Sequence, residues 1–140
     1  MKINMTEWAK AVIDSKKVMA VPIMTHPGIE MIGRRVIDAV SDGEVHFNAV
    51  RALAGRYDTA AATVIMDLTV EAEAFGADIA FEPDEVSAVR GHMLSSADDI
   101  ARLQVPPLSA GRVPAYPKAN LLAARAINDR PVPALSLIHN

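Results

Sequence analysis

Three ionisable side chains closely follow short apolar segments of the chain: His26, Asp67 and His139. If those segments are parallel strands of an α/β fold, their C-terminal ends meet at one rim, where such folds bind ligands. A histidine at that rim can bind substrate or shuttle protons, and a carboxylate can hold a polar group of a ligand. The pattern therefore predicts a substrate-binding site made of these residues. Separations this long are not a metal-binding motif, so neither a metal site nor a catalytic residue is predicted.

Glu71 is a fourth candidate because it lies four residues after Asp67, at the start of an Ala- and Glu-rich stretch that predicts a short helix. On a helix, residues four apart share one side, so the two carboxylates could form a paired site. Two structural alternatives stay open. Asp67 could simply cap the helix, since aspartate is a favoured N-cap, and Glu71 could be a solvated first-turn acid.

The elements that must position these residues are apolar segments separated by helices. Residues 18–24, 60–66 and 132–138 predict three buried strands, and residues 78–82 predict a half-exposed strand in a small extended insertion. Strands alternating with helices favour parallel βαβ units, so we expect an α/β fold with residues 1–140 in a single domain. Residues 104–116 contain three prolines and a glycine and predict a long surface connection.

Composition narrows the class of function. The chain has 140 residues, 51% hydrophobic, with a net charge of −3 and no cysteine. An acidic chain is unsuited to nonspecific nucleic-acid binding, which needs a basic face. With neither a long apolar run nor an N-terminal signal segment, we expect no membrane association and a cytoplasmic location. Without cysteine the chain forms no disulfide and supplies no thiolate to a metal.

The segment 66–76, Met-Asp-Leu-Thr-Val-Glu-Ala-Glu-Ala-Phe-Gly, resembles the N-terminal part of the uroporphyrinogen decarboxylase superfamily, with supporting matches at 21–24 and 132–138. Within it, the chain is more similar to corrinoid-dependent methyltransferases, such as methylcobamide:coenzyme M methyltransferases. The resemblance implies a (β/α)8 TIM barrel, of which this chain supplies about three parallel strands, their helices and the insertion. Because a barrel needs about 250 residues, we expect the chain to be a portion of a larger fold.

For function, the resemblance implies methyl transfer between a corrinoid protein, as partner, and a small-molecule thiol or folate acceptor, with Asp67 lining the substrate pocket. It also implies zinc, held in that family by a His-x-Cys pair and a further Cys in the C-terminal half. None of those ligands occurs here. Taken alone, these residues should therefore be inactive.

The decarboxylase branch makes a different prediction. There an Arg-Gln-Ala-Gly-Arg element grips the substrate's carboxylates, and the matching aspartate binds pyrrole N–H groups. The equivalent residues 25–29, Thr-His-Pro-Gly-Ile, match only at Gly28, and both arginines are missing. A polycarboxylate ligand needs such bidentate cations, so decarboxylase activity is disfavoured.

A non-enzymatic alternative also stays open. The chain could be a non-catalytic truncated product, or a subunit that completes its sheet by self-association. Because unpaired sheet edges recruit other strands, this alternative predicts a homo-oligomer.

Overall fold

The computed structural model describes residues 3–23 and 25–133. His139 and most of the predicted strand 132–138 lie outside them. In chain order the elements are α1 (Met5–Asp14), α2 (His26–Met31), α3 (Val36–Ser41), α4 (Gly43–Arg56), α5 (Val70–Ala74), β1 (Asp78–Ala80), β2 (Ala88–Arg90), α6 (Ala97–Arg102) and α7 (Ala115–Ala126). Among these residues, no helix has both the length and the apolar character needed to cross a membrane.

Helix α4 is the central helix, packed against α2, α3 and α7. Asp42 begins it, because its side chain accepts a hydrogen bond from the Glu44 backbone N–H at 2.7 Å. Two apolar clusters flank it. One contains Ile29, Val36, Ala39, Val40, Ala49 and Ile65, and the other contains Val50, Ala62, Val64, Ala119, Ala123 and Ile127.

Small residues let the helices around α4 approach closely. A Cβ on Gly28 would lie 2.2 Å from the carbonyl oxygen of Ala49, so α2 rests directly on the α4 backbone. A Cβ on Gly43 would lie 2.5 Å from the carbonyl oxygen of Ala115, at the start of α7. Both distances are too short for any real Cβ, so glycine is required at these two contacts.

The mixed helix-and-strand class predicted from the sequence is confirmed, but the predicted parallel strands are not formed as regular ladders within the described residues. Residues 60–66 run through the interior and join their neighbours at isolated points. Ala60 N–H donates to Ala20, and Ala62 N–H donates to Pro131, both at 2.9 Å. These contacts place 60–66 between 18–23 and the start of the third predicted segment.

Proline and threonine explain why no regular ladder forms there. Pro22 and Pro131 have no N–H to donate, so each interrupts a potential ladder. Side-chain hydroxyls make the bonds instead. The Thr25 hydroxyl donates to the carbonyl of Thr63 at 3.1 Å, and the Thr63 hydroxyl donates to the carbonyl of Pro22.

The described residues contain one sheet, the small insertion predicted from the sequence. β1 and β2 pair antiparallel, with Asp78 opposite Arg90, Ile79 opposite Val89 and Ala80 opposite Ala88. Ile79 turns inward and is buried, whereas all three residues of β2 are exposed.

Candidate functional site

Asp67 lies at the end of the buried segment 60–66 and is itself buried. Its Oδ1 accepts hydrogen bonds from the Thr69 backbone N–H at 2.8 Å and from the Thr69 hydroxyl at 2.7 Å. Its Oδ2 accepts from Arg112 Nη1 at 2.5 Å and from the Tyr116 hydroxyl at 2.9 Å. Each carboxylate oxygen therefore has two donors, and the group is held in one orientation.

Arg112 is the cation at the centre of this cluster, and only 7% of its side chain is exposed. Besides Asp67, it donates from Nε to Glu73 at 2.6 Å and from Nη2 to the Thr69 hydroxyl at 2.7 Å. Its guanidinium carbon lies 4.9 Å from the centre of the Phe81 ring. The planar fork thus binds two carboxylates and stacks on an aromatic face, a combination that lysine could not reproduce.

The electrostatics of the pair follow from these contacts. Burial alone would raise the pKa of Asp67, but hydrogen bonds from Thr69 and Arg112, together with the Arg112 charge, outweigh it and hold this pKa below its usual value. Burial opposes the charge of Arg112 too, yet its bonds to Asp67 and Glu73 raise its pKa above the ordinary value. Both groups are therefore ionised at neutral pH.

Tyr116 and His46 form the second layer behind Asp67. Their rings meet edge to face with centroids 5.2 Å apart. His46 Nε2 accepts the Ile65 backbone N–H at 2.7 Å, and its Nδ1 has no partner among the described residues. Burial lowers the pKa of His46 from 6.5 to about 4, with Asp67 opposing the shift. Burial, followed by the Asp67 charge and hydrogen bond, raises the pKa of Tyr116 well above its usual range. His46 is thus a neutral residue that fixes the backbone just before Asp67.

The structure brings His26 and Asp67 together. Both line one small pocket, as their positions after apolar segments predict. His26 is the first residue of α2. His139 lies outside the described residues, so its predicted place at this rim stays a prediction. Substrate binding by any of these residues also stays a prediction.

Glu71 is exposed, whereas Glu73 turns inward to Arg112. The predicted pairing of Glu71 with Asp67 stays a prediction. The expectation placed Asp67 directly before a helix, but α5 begins only at Val70. Asp67 does not cap α5 either, since its Oδ1 closes a tight turn onto Thr69, two residues on.

Arg112, Tyr116 and Glu73 were not found by the sequence reasoning. Arg112 lies in the segment predicted as a surface connection, 45 residues from its partner Asp67. One local signal was present in the sequence, the glycine immediately before Arg112, and in the structure this Gly111 adopts a positive φ of 50°. A Gly-Arg pair in a tight turn before a helix allows the arginine to turn inward, and a buried arginine needs carboxylate partners.

The residues present do not fit a zinc ion. Within the described part of the chain, no three His, Cys, Asp or Glu side chains lie close enough together to hold a metal ion. The two carboxylates that do converge, from Asp67 and Glu73, are both bound to Arg112. A cation between them would have to displace the guanidinium.

Comparisons with known proteins identify the family and the fold. The family model for uroporphyrinogen decarboxylase (URO-D) matches residues 9–138. Among solved structures, a methyltransferase from Methanosarcina mazei superposes with a TM-score of 0.67 at 21% sequence identity, covering 89% of this chain and 40% of that one. No curated protein is similar enough to the chain to count as a match.

The likeness to the solved methyltransferase shows a shared fold, and the chain spans 40% of that protein's length. The predicted architecture, the N-terminal part of an α/β barrel, is therefore confirmed. The family-model match extends from the middle of α1 almost to the last residue. The chain belongs to the uroporphyrinogen decarboxylase family.

Proposed function

We propose that this chain is the N-terminal portion of a methyltransferase, in which the Asp67–Arg112 cluster forms one wall of the barrel mouth. The full enzyme would move a methyl group between a corrinoid carried by a partner protein and a small thiol or folate acceptor. In this proposal the chain contributes a rigid wall and part of the substrate pocket, through Asp67 and His26.

The proposal rests on one observation: the buried Arg112 and Asp67 bind each other, so neither is free to bind a substrate. A decarboxylase substrate with many carboxylates needs free arginines, and its pyrrole N–H groups need a free aspartate. Here Arg112 donates to Asp67, Glu73 and Thr69, while both Asp67 oxygens already have two donors. Arg34 and Arg35 are exposed. The solved methyltransferase of the same fold supports the alternative chemistry.

Zinc and corrinoid have different places in this proposal. Because the donor set does not fit zinc, any metal that activates the acceptor would be held by residues outside this chain. The corrinoid would arrive on its partner protein. The residues of this chain would orient the substrate and exclude water from it. Asp67 is fixed by four hydrogen bonds, and Ile65 and Val40 form the apolar wall behind it.

The test compares two reactions on one purified protein, made from this chain together with whatever its gene encodes after Asn140. The first assay supplies methylcobalamin and a small thiol and follows loss of the methyl–cobalt absorbance. The second supplies uroporphyrinogen and follows carbon dioxide release. Methyl transfer without decarboxylation supports the proposal, whereas decarboxylation without methyl transfer refutes it. The 140-residue chain alone, as the matched control, is expected to be inactive in both.

A second candidate, self-association, is favoured by apolar side chains that nothing covers within the described residues. Helix α1 buries none of its residues, and the Ile13, Val18, Val105 and Leu108 side chains are largely exposed. We propose that in the isolated chain some of these side chains are covered by a second copy. Sedimentation velocity over a concentration series tests this, and a monomer throughout the series contradicts it.

A further inference from the structure

The pocket that joins His26 to Asp67 has a composition suited to a small ligand. It has a volume of about 30 Å³ and is only partly open to solvent. Its walls come from four separate parts of the fold: the start of α2, helix α3, the end of segment 60–66, and the residues just before β2. The lining side chains are His26, Val36, Val40, Ile65, Met66, Asp67, Val86 and Ser87.

Two polar side chains line this pocket besides Asp67. Within residues 3–23 and 25–133, neither the His26 imidazole nor the Ser87 hydroxyl forms a hydrogen bond or an ion pair. Ser87 is nevertheless buried. Its Oγ is not one of the fully buried side-chain atoms that lack a partner in the described part of the chain, so the hydroxyl is open to the pocket rather than orphaned. An unpaired hydroxyl and an imidazole on one apolar pocket are therefore suited to hydrogen-bond a ligand.

Size and charge narrow the class of ligand. One water-sized sphere needs roughly 10–15 Å³ of such space, so the pocket holds about two or three non-hydrogen atoms. Valine and isoleucine side chains favour a methyl group at one end. Asp67 does not select a cation strongly, because both its oxygens are engaged by Thr69, Arg112 and Tyr116. The hydrogen-bonding end of the ligand is therefore neutral.

We infer that this pocket binds a free, neutral one-carbon compound with a hydroxyl group, of which methanol is the simplest, through Ser87 and His26. Methanol is neither the methyl donor nor the acceptor of the proposed reaction, so this inference goes beyond the proposed function and does not rest on it. The carbon lies against the apolar wall, and the hydroxyl oxygen exchanges hydrogen bonds with the two unpartnered side chains. Methanol has two non-hydrogen atoms, and at no more than about 1.5 kcal/mol for each we expect a Kd of about 6 mM or weaker.

The experiment is a methanol titration of the purified protein, labelled with carbon-13 on its valine and isoleucine methyl groups and followed by NMR. Resonances of Val36, Val40 and Ile65 should shift and saturate, while those of Val50 and Val64, buried away from the pocket, should stay in place. Equal shifts at both sets would mean a general solvent effect and would overturn the inference. Absence of any shift would also overturn it.

Two further arms test the chemistry. In unmodified protein, tert-butanol should fail to saturate these shifts because it is too large, and methylammonium should bind more weakly than methanol. Tighter binding of methylammonium would mean that the Asp67 charge selects the ligand, which would contradict the neutral class. Saturating shifts with tert-butanol would contradict the size argument. Neither result depends on a variant that must fold.

A variant of Ser87 tests whether its hydroxyl forms the hydrogen bond to methanol. Ser87→Ala should weaken methanol binding at least about fivefold, the ratio expected for one lost hydrogen bond. Ser109→Ala, an exposed serine outside the pocket, is the matched control and should leave binding unchanged. Equal binding by the two variants contradicts the role of Ser87. Methanol binding without methyl transfer refutes only the proposed function, and methyl transfer without methanol shifts refutes only this pocket.

Discussion

Replacing Arg112 by methionine should strongly destabilise the protein, because it leaves two carboxylates without their cation. Asp67 keeps its bonds from Thr69 and Tyr116 but loses Arg112 Nη1, while Glu73 and the Thr69 hydroxyl each lose a donor. The Asp67 side chain is only 2% exposed and cannot regain water, whereas that of Glu73 is 22% exposed and partly can. Removing one partner of a buried pair costs about 3–5 kcal/mol, and we expect the lower half of that range.

The assay is urea unfolding at pH 7, with Arg102→Met as the matched control. Arg102 also pairs with an aspartate, Asp99, at 2.8 Å, but its side chain is 74% exposed. Exposed pairs contribute about 0–1 kcal/mol, so the control should change the free energy of unfolding very little. The cost for Arg112→Met is a large part of the roughly 5–15 kcal/mol that a domain of this size has in total.

Urea unfolding at lower pH tests whether the loss of the Asp67–Arg112 pair causes the destabilisation. Asp67 has a lowered pKa in the folded state, so its contribution is complete above the unfolded pKa near 3.8 and is lost as pH falls through the folded value. In Arg112→Met, burial is no longer opposed by the guanidinium, and Asp67 becomes protonated at higher pH. The difference between wild type and variant should therefore shrink on acidification. A variant within about 1 kcal/mol of the Arg102 control at pH 7, or a difference that does not shrink in acid, would refute the reasoning.

Two further predictions concern His46 and Gly28. Because the folded pKa of His46 is lowered from 6.5 to about 4, the unfolded chain takes up a proton first, and stability should fall as pH drops through this window. Two and a half pH units at roughly 1.4 kcal/mol each lower the free energy of unfolding by about 3 kcal/mol. His46→Gln should remove this pH dependence when urea unfolding is measured at several pH values. An unchanged pH dependence would assign the effect to other groups. Gly28→Ala should cost about 1–3 kcal/mol, because its Cβ meets the Ala49 carbonyl. Gly55→Ala, in the open on α4, should instead stabilise by about 0.5–1 kcal/mol, and thermal melting of both variants checks the contrast.

The sequence predicted best what depends on local pattern. The apolar run 60–66 indicated a buried segment, and its residues are buried except for Met66, which is half-buried. The same logic of segment ends placed His26 near Asp67, and the two do share a pocket. What the apolar pattern could not show was that the prolines beside this run would replace ladder bonds with threonine hydroxyl bonds, since that depends on which segments lie side by side.

Glu73, and not the predicted candidate Glu71, binds Arg112, and the turn after Asp67 contributes to this difference. Residues four apart share one side only where all of them are helical, and the chain from Asp67 to Thr69 is a turn that lies outside α5. Asp67 bonds the backbone of Thr69 and delays the start of α5 to Val70. That turn directs Glu73, rather than Glu71, towards Arg112. The pairing with Arg112 itself spans 45 residues and follows from tertiary packing, which no local pattern encodes.

The polar cluster stands out against the rest of this core. Elsewhere the buried residues are mostly alanine, valine and isoleucine, and aromatic residues are only 4% of the chain. Two of those few aromatics, Phe81 and Tyr116, nevertheless contact Arg112 and Asp67. A buried ion pair is seldom more stable than apolar residues of equal volume, so stability alone does not account for it. What the cluster adds is a fixed direction: it joins the end of segment 60–66, the residue after β1 and the start of α7, and so sets the position of Asp67 on the pocket wall beside His26.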